Sequence, residues 1–275
     1  MWKASKKAAI MAALVLGLSQ TASAEDDASV VQKIGHGEVN WSTKTVTATG
    51  SGAANLKDAS VAVARLNAER AAKLDALRNI LETVQGIQVT GKRSAGDLMS
   101  NGEIRSKIQG FAKSYKVVDT RYYSDGSVDI VVQMPIDDGL TSALFSGVPG
   151  SKKPRKLPTA GAAQFSGLVI NAKALGVVPS MAPRIVDESG KEVYGAAVVS
   201  DAGLAQGGIA GYVKDVEAAK TSERVGGQPL VVKALRLADK TKTDIVISNA
   251  DADRLRDPNT NLSFLSEGKV IIVVD

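Results

Sequence analysis

The chain has 275 residues, a formal charge of +5, 44% hydrophobic but only 4% aromatic residues, one histidine and no cysteine. Without cysteine no disulfide forms, and one histidine alone does not build a typical zinc site. Of the 34 basic residues, Lys3, Lys6 and Lys7 lie at the N-terminal end; the other 31 balance 29 acidic ones and are interleaved with them, so no nucleic-acid partner is expected.

The N-terminal residues read as a signal peptide. Lys3, Lys6 and Lys7 form a basic region, Ala8 to Leu18 a short apolar one, and Ala22-Ser23-Ala24 a small-x-small cleavage signal. The apolar run is shorter than the roughly 20 residues a spanning helix needs. Export, cleavage after Ala24 and a periplasmic location follow as expectations, with the mature chain soluble or peripherally attached. About 250 mature residues suggest two domains.

Glu25 to Lys33 is polar and is expected to be loose. Glu38 to Thr49 is rich in β-branched residues and predicts one strand, with Trp41 as a core or edge anchor. The longest pattern follows, from Ala59 to Val84. Val63, Leu66, Leu74, Leu77, Leu81 and Val84 recur near a 3.6-residue period and predict the apolar face of a helix. Its alanines raise helix propensity and allow close approach. Asn55 or Asp58 is the expected cap, and Gly86 the stop.

Ile87 to Arg93 predicts a second strand, Ser94 to Asn101 a loop, and Gly102 to Gly110 a short helix. Tyr115–Tyr123 and Ser127–Met134 flank Asp125-Gly126 and predict a hairpin. The expected domain over residues 25–146 is a small antiparallel-rich α+β layer with the long helix on its sheet. Residues 147–163 read as a Pro/Gly/Lys linker. Lys152, Lys153, Arg155 and Lys156 make it basic, which fits a solvated spacer better than a contact with anionic lipid or glycan.

Residues 164–275 predict a mostly-β domain with a short helix. Strands are expected over Ser166–Lys173, Pro229–Leu237, Thr243–Ser248 and Lys269–Asp275, with a second hairpin around Ser189-Gly190. The apolar last strand is safe only if central or covered. Ala202 to Gly211 reads as a glycine-rich loop, and Asn249 to Arg256 as a short capped helix. The overall class is α+β.

No motif carries a reaction. His36, in Gly35-His36-Gly37, is the only histidine and sits on an expected flexible arm, a poor place for nucleophilic chemistry. Gly203 to Gly211 lacks the Gly-Lys-Ser/Thr ending of a phosphate loop. Asp251, Asp253 and Asp257 lack the glycine and distal glutamate of a calcium loop and suit a helix N-terminus. Asp137-Asp138 reads as turn chemistry. A paired-carboxylate glycosidase would want aromatic platforms, which this composition scarcely supplies. No catalytic residue, metal or cofactor is therefore expected.

Two stretches carry a family likeness. Val46-Thr-Ala-Thr-Gly-Ser-Gly-Ala53, running into Ala62 to Glu82, resembles the family of small outer-membrane lipoproteins that includes FlgP, the flagellar outer-membrane ring or basal-disk protein. There a strand end of alanine and two glycines, here Ala48, Gly50 and Gly52, precedes an Ala/Arg-rich helix, here with Ala64, Ala68, Ala72 and Ala76. The likeness covers roughly residues 40–145, and residues 165–195 are similar to the C-terminal region of larger exported members. It implies a non-enzymatic envelope protein that self-assembles or joins flagellar or other envelope proteins, with a ring around the flagellar rod as its sharper form and outer-membrane association as its site. The lipidated cysteine common in that family is missing here, so anchoring by lipid does not carry over. The alternative is a periplasmic ligand-binding module for glycan or lipid, suggested by residues 203–211 and the basic linker.

Overall fold

In this computed structural model the described residues are 29–275 except 56, 147, 149–154, 160 and 163. The expected signal peptide, Lys152 and Lys153 lie outside them. The fold is α+β. A five-stranded antiparallel sheet has the order β1-β2-β3-β7-β6, with β1 at Val31–Ile34, β2 at Gly37–Asn40, β3 at Thr45–Gly52, β6 at Lys116–Tyr122 and β7 at Val128–Pro135. Helix α1, Val61–Gly86, lies across β3 and β7.

The face that α1 turns to the sheet is not the leucine face that the period predicts. Ala64, Ala68, Ala72 and Ala76 are buried, followed by Ile80, Thr83 and Val84. Of the predicted stripe only Val84 is fully covered; Leu77 and Leu81 are partly so, and Val63, Leu66 and Leu74 are exposed. The reason lies in β3, whose inward positions are Val46, Ala48, Gly50 and Gly52. A Cβ on Gly50 would stand 2.1 Å from the backbone nitrogen of Ala76, and one on Gly52 1.9 Å from the carbonyl oxygen of Ala68. The two backbones touch, and only small side chains fit between them. Ser60 caps the helix by accepting from the Val63 amide; Asn55 and Asp58, the expected caps, bond each other instead.

Other departures are local. Strand β1 occupies part of the expected loose arm. The single strand expected over 38–49 breaks at residues 41–44 into β2 and β3. The strand expected over Ile87–Arg93 folds into a separate ribbon of β4, Gln88–Thr90, and β5, Arg93–Ser94. The loop expected next holds helix α2, Ala95–Leu98, whose Ser94 and Asp97 form a capping box. Helix α3, Gly102–Ala112, follows, and helix α4, Asp138–Phe145, comes after the β6–β7 hairpin. Gly126 turns that hairpin with φ +82°, as Gly190 turns the next with φ +83°.

The second sheet is mixed, in the order β10-β9-β13-β12-β8-β14-β11. Its strands are β8 Leu168–Asn171, β9 Ile185–Val186, β10 Glu192–Tyr194, β11 Gly211–Val213, β12 Leu230–Leu237, β13 Ile245–Ile247 and β14 Val270–Val273. The apolar last strand is central, paired in parallel with β8 and β11. Four short helices accompany the sheet: α5 Asp201–Gly207, α6 Val216–Thr221, α7 Asn249–Arg254 and α8 Ser263–Ser266. Helix α5 replaces the expected glycine-rich loop. The described part of the expected linker is irregular but docked: Arg155 bonds the Val193 and Ala197 carbonyls, and the Pro158 carbonyl accepts from the Leu262 amide.

The two sheets share one apolar cluster. Trp41 meets Tyr212 edge-on with ring centroids 5.5 Å apart. The Met181 and Ala182 amides donate to the Gln88 and Val89 carbonyls of the ribbon, at 3.0 and 2.7 Å.

The Gly–Ala contact makes a sharp prediction. Gly50→Ala should lower stability in denaturant unfolding by about 2 kcal/mol or more, since the added carbon meets backbone, which cannot swing aside. Gly110→Ala, in α3 with open space around the added carbon, should instead be neutral or stabilise by up to about 1 kcal/mol.

Candidate functional site

The residues weighed from sequence do not converge. His36 is on the turn between β1 and β2, its side chain 71% exposed, with Nδ1 3.5 Å from a Glu82 carboxylate oxygen. Asp137 caps α4 by accepting from the Leu140 amide at 2.9 Å. Asp251 shares a capping arrangement with Ser248 at the start of α7. Asp257 accepts from the Asn259 amide and the Thr260 hydroxyl. Among the described residues no group of three or more His, Asp or Glu is placed to hold a metal ion.

The glycine-rich segment is a clamp. The Arg224 guanidinium donates to the carbonyls of Gly207, Gly208 and Gly268 at 2.7, 2.9 and 2.6 Å. Lys44 Nζ, from the first sheet, adds a second donor to Gly207 at 2.6 Å. Burial pushes the Arg224 pKa down, and arginine, which stays protonated in proteins, still donates to all three carbonyls. The segment thus presents carbonyl oxygens to arginine, the reverse of an amide cradle for phosphate.

A cavity lies where the sheets meet, lined by Trp41, Lys44, Thr141, Phe145, Ser180 and Ile209 among others, with about 50 Å³ open to a water-sized sphere. That is room for a few water molecules, each needing roughly 10–15 Å³, and far below the roughly 300 Å³ of a small-molecule site. Ser180 forms part of its wall. The Tyr212 hydroxyl donates to the Ser180 carbonyl at 2.8 Å and accepts from the Ser180 amide at 3.0 Å. The Ser180 hydroxyl oxygen is buried without a partner among the described residues.

The feature left unabsorbed by the fold is a surface. Leu66 and Leu74 lie two residues from alanines of the buried stripe, so at 100° per residue they point away from the sheet. They are 54% and 70% exposed, and Val63, one turn before Leu66, is exposed beside it. Arg70 stands between the leucines, exposed. A groove beyond them is lined by Leu74, Leu77, Arg78, Leu81, Glu82 and Gln85. Strand β6, at the sheet edge, exposes Val117, Val118 and Tyr122, with Tyr123 exposed just beyond its end. The Arg65 guanidinium lies 5.5 Å over the Tyr122 ring, joining helix and edge strand into one flank. Exposed large apolar side chains gathered on one side of a domain are a common mark of interaction surfaces. The sequence signal was present in the leucine period, whose first half, Val63, Leu66 and Leu74, lies on the outside of the helix.

With this geometry in place, the comparison with known families concerns the second sheet. Residues 167–275 match a family model described as Treponema pallidum Tp0624, second domain. No curated protein matches the chain. The matched segment carries β8 to β14 and the Arg224 clamp; it does not include α1 or β6.

Two outcomes test this description. Arg224→Ala should cost about 3 kcal/mol or more in denaturant unfolding, because three carbonyls lose a charged donor. Burial pushes the Tyr212 pKa up to about 12, against about 10 in an unfolded chain. The folded state therefore holds the phenol proton more tightly, and this contribution is complete below pH 10 and lost as pH rises toward 12. Stability should fall by roughly 2 kcal/mol across that window beyond the fall seen in Tyr212→Phe.

Proposed function

We propose that this chain is an exported, non-enzymatic structural protein of a bacterial cell envelope that works by associating with copies of itself. The observation that carries the reading is the inverted helix. From Ala64 to Ala76 alanines satisfy the core, so Leu66 and Leu74 have no role inside the subunit and stand in water. Leaving both exposed forgoes roughly 1.5–3 kcal/mol of burial for each, which a second copy recovers.

The likeness of residues 40–145 to the family that includes FlgP supports the same reading. It points to the periplasm, to association with the outer membrane and to a ring within the flagellar motor as the sharper form. No described helix is long and apolar enough to cross a membrane. The alternative, a module that binds glycan or lipid, was suggested by the glycine-rich segment and the basic linker, and both are engaged within the chain: Arg224 occupies the carbonyls of the first, and Arg155 of the second bonds the Val193 and Ala197 carbonyls.

Sedimentation of the mature chain tests the proposal. The expected result is an oligomer, and its dissociation constant should rise at least about tenfold in Leu66→Glu/Leu74→Glu, equivalent to ~1.4 kcal/mol, with an unchanged circular-dichroism spectrum. A mature chain that stays monomeric at high concentration would overturn it.

A further inference from the structure

Strand β6 is the free edge of the first sheet, seven residues long and without proline. Such an edge offers unpaired amides and carbonyls to another strand. The hairpin fixes which groups those are. The Tyr123 amide donates to the Ser127 carbonyl, and Arg121 stands opposite Asp129. In an antiparallel ladder the direction alternates, so Tyr123 and Arg121 address β7 while Tyr122 and Thr120 address the open side. A register shift between Val117 and Asp119 places a bulge at Val118, beyond which Val117 and Lys116 pair with β7 in a shifted register, so the regular alternation of the open side runs from Asp119 to Tyr122.

We propose that β6 pairs antiparallel with β6 of a second copy about a two-fold axis at Thr120, joining the two sheets into one. This rests on the self-association reading and adds to it a contact distinct from the outward face of α1. Charge pairing and ladder length select the register, since centring on Val118 or Tyr122 shortens the shared ladder and sets neither Asp119 nor Arg121 opposite a charge of the other sign within the strand. Because Thr120 and Tyr122 face outward, only registers that put one outward residue opposite another are open. Centring on Asp119 sets the two Asp119 side chains opposite each other, and centring on Arg121 does the same with two arginines. Like charges directly opposite destabilise a pair of strands. Centring on Thr120 sets Arg121 opposite Asp119 of the second copy twice over, and brings Tyr122 to the exposed Val118 at the bulge. In the single chain Arg121 Nε already bonds Asp119 at 2.8 Å, with both side chains substantially exposed, so each stands ready to meet its counterpart across the axis.

The absence of native cysteine makes the test clean. Asp119→Cys and Arg121→Cys are made as separate mature chains and oxidised with copper phenanthroline, each alone and mixed. In the Thr120-centred register these two positions form a non-hydrogen-bonded pair with Cα atoms about 4.5 Å apart, within disulfide reach. The mixed pair also keeps one Arg121–Asp119 contact intact. The expected result is a covalent dimer in the mixture and none in either variant alone. Thr120→Pro removes an outward amide, which an edge strand tolerates without loss of fold, and should raise the dissociation constant at least tenfold. A dimer from either cysteine variant alone overturns the register. A chain that associates as before in Thr120→Pro and forms no mixed cross-link overturns the edge contact while leaving self-association standing. A monomeric parent chain overturns both.

Discussion

The first half of the molecule depends on backbone meeting backbone. Helix α1 approaches β3 until the Ala68 and Ala76 main chain fills the space a side chain on Gly52 or Gly50 would need. Such an approach gives up the burial of large side chains and takes in exchange dense contact along four turns of helix. It also explains Thr83, the one polar residue in the stripe. Its hydroxyl donates to the Asn79 carbonyl at 2.7 Å, so it enters the core with its hydrogen bond made within the helix.

That contact sorts the rest of α1. Residues four apart from Ala64 to Ile80 are committed inward, and those halfway between them face water. From Ala64 to Ala76 small residues inside leave Leu66 and Leu74 outside, and only from Leu77 onward do large side chains, Ile80 and Val84 foremost, return to the core. Asp75 and Asn79 tie one flank of the helix to β3, through the Ser51 amide and the Thr49 carbonyl. Arg65 leans over Tyr122 on the other flank. The helix is thereby held in rotation, and the leucines cannot turn inward without breaking these bonds.

The parts legible in the sequence are those decided locally. Asp125-Gly126 and Ser189-Gly190 set their hairpins, and the alanine content marks α1, which runs through Gly86 in helical conformation and is capped by Ile87 rather than by a left-handed glycine. The α+β class followed from the order of these elements. What the period could not decide was which of two stripes on α1 faces inward, because leucines at three and four residues imitate a core. The answer lay fifteen residues earlier, in the small side chains of β3, and becomes readable only once strand and helix are placed face to face. Helix α5 was hidden for a related reason. Its glycines argue against a helix on propensity alone, and it is held by Arg224 and Lys44, distant in sequence. The edge position of β6 was equally invisible, since strand order is a property of the whole sheet.

Symmetry places a further constraint on the proposed assembly. A contact between two β6 strands about a two-fold axis is isologous and closes on itself, so it yields a pair and stops. A ring or any larger envelope structure needs a second, different contact on each subunit. The outward face of α1 can serve as that contact because it occupies a different part of the flank: Leu66 and Leu74 stand on the helix layer above the sheet, while Thr120 and Tyr122 open at its rim. The two surfaces then have separable roles, the rim making pairs and the helix joining pairs to one another. Changes at Leu66 and Leu74 would reduce the assembly to dimers, and a change at Thr120 would leave the helix contact to act alone.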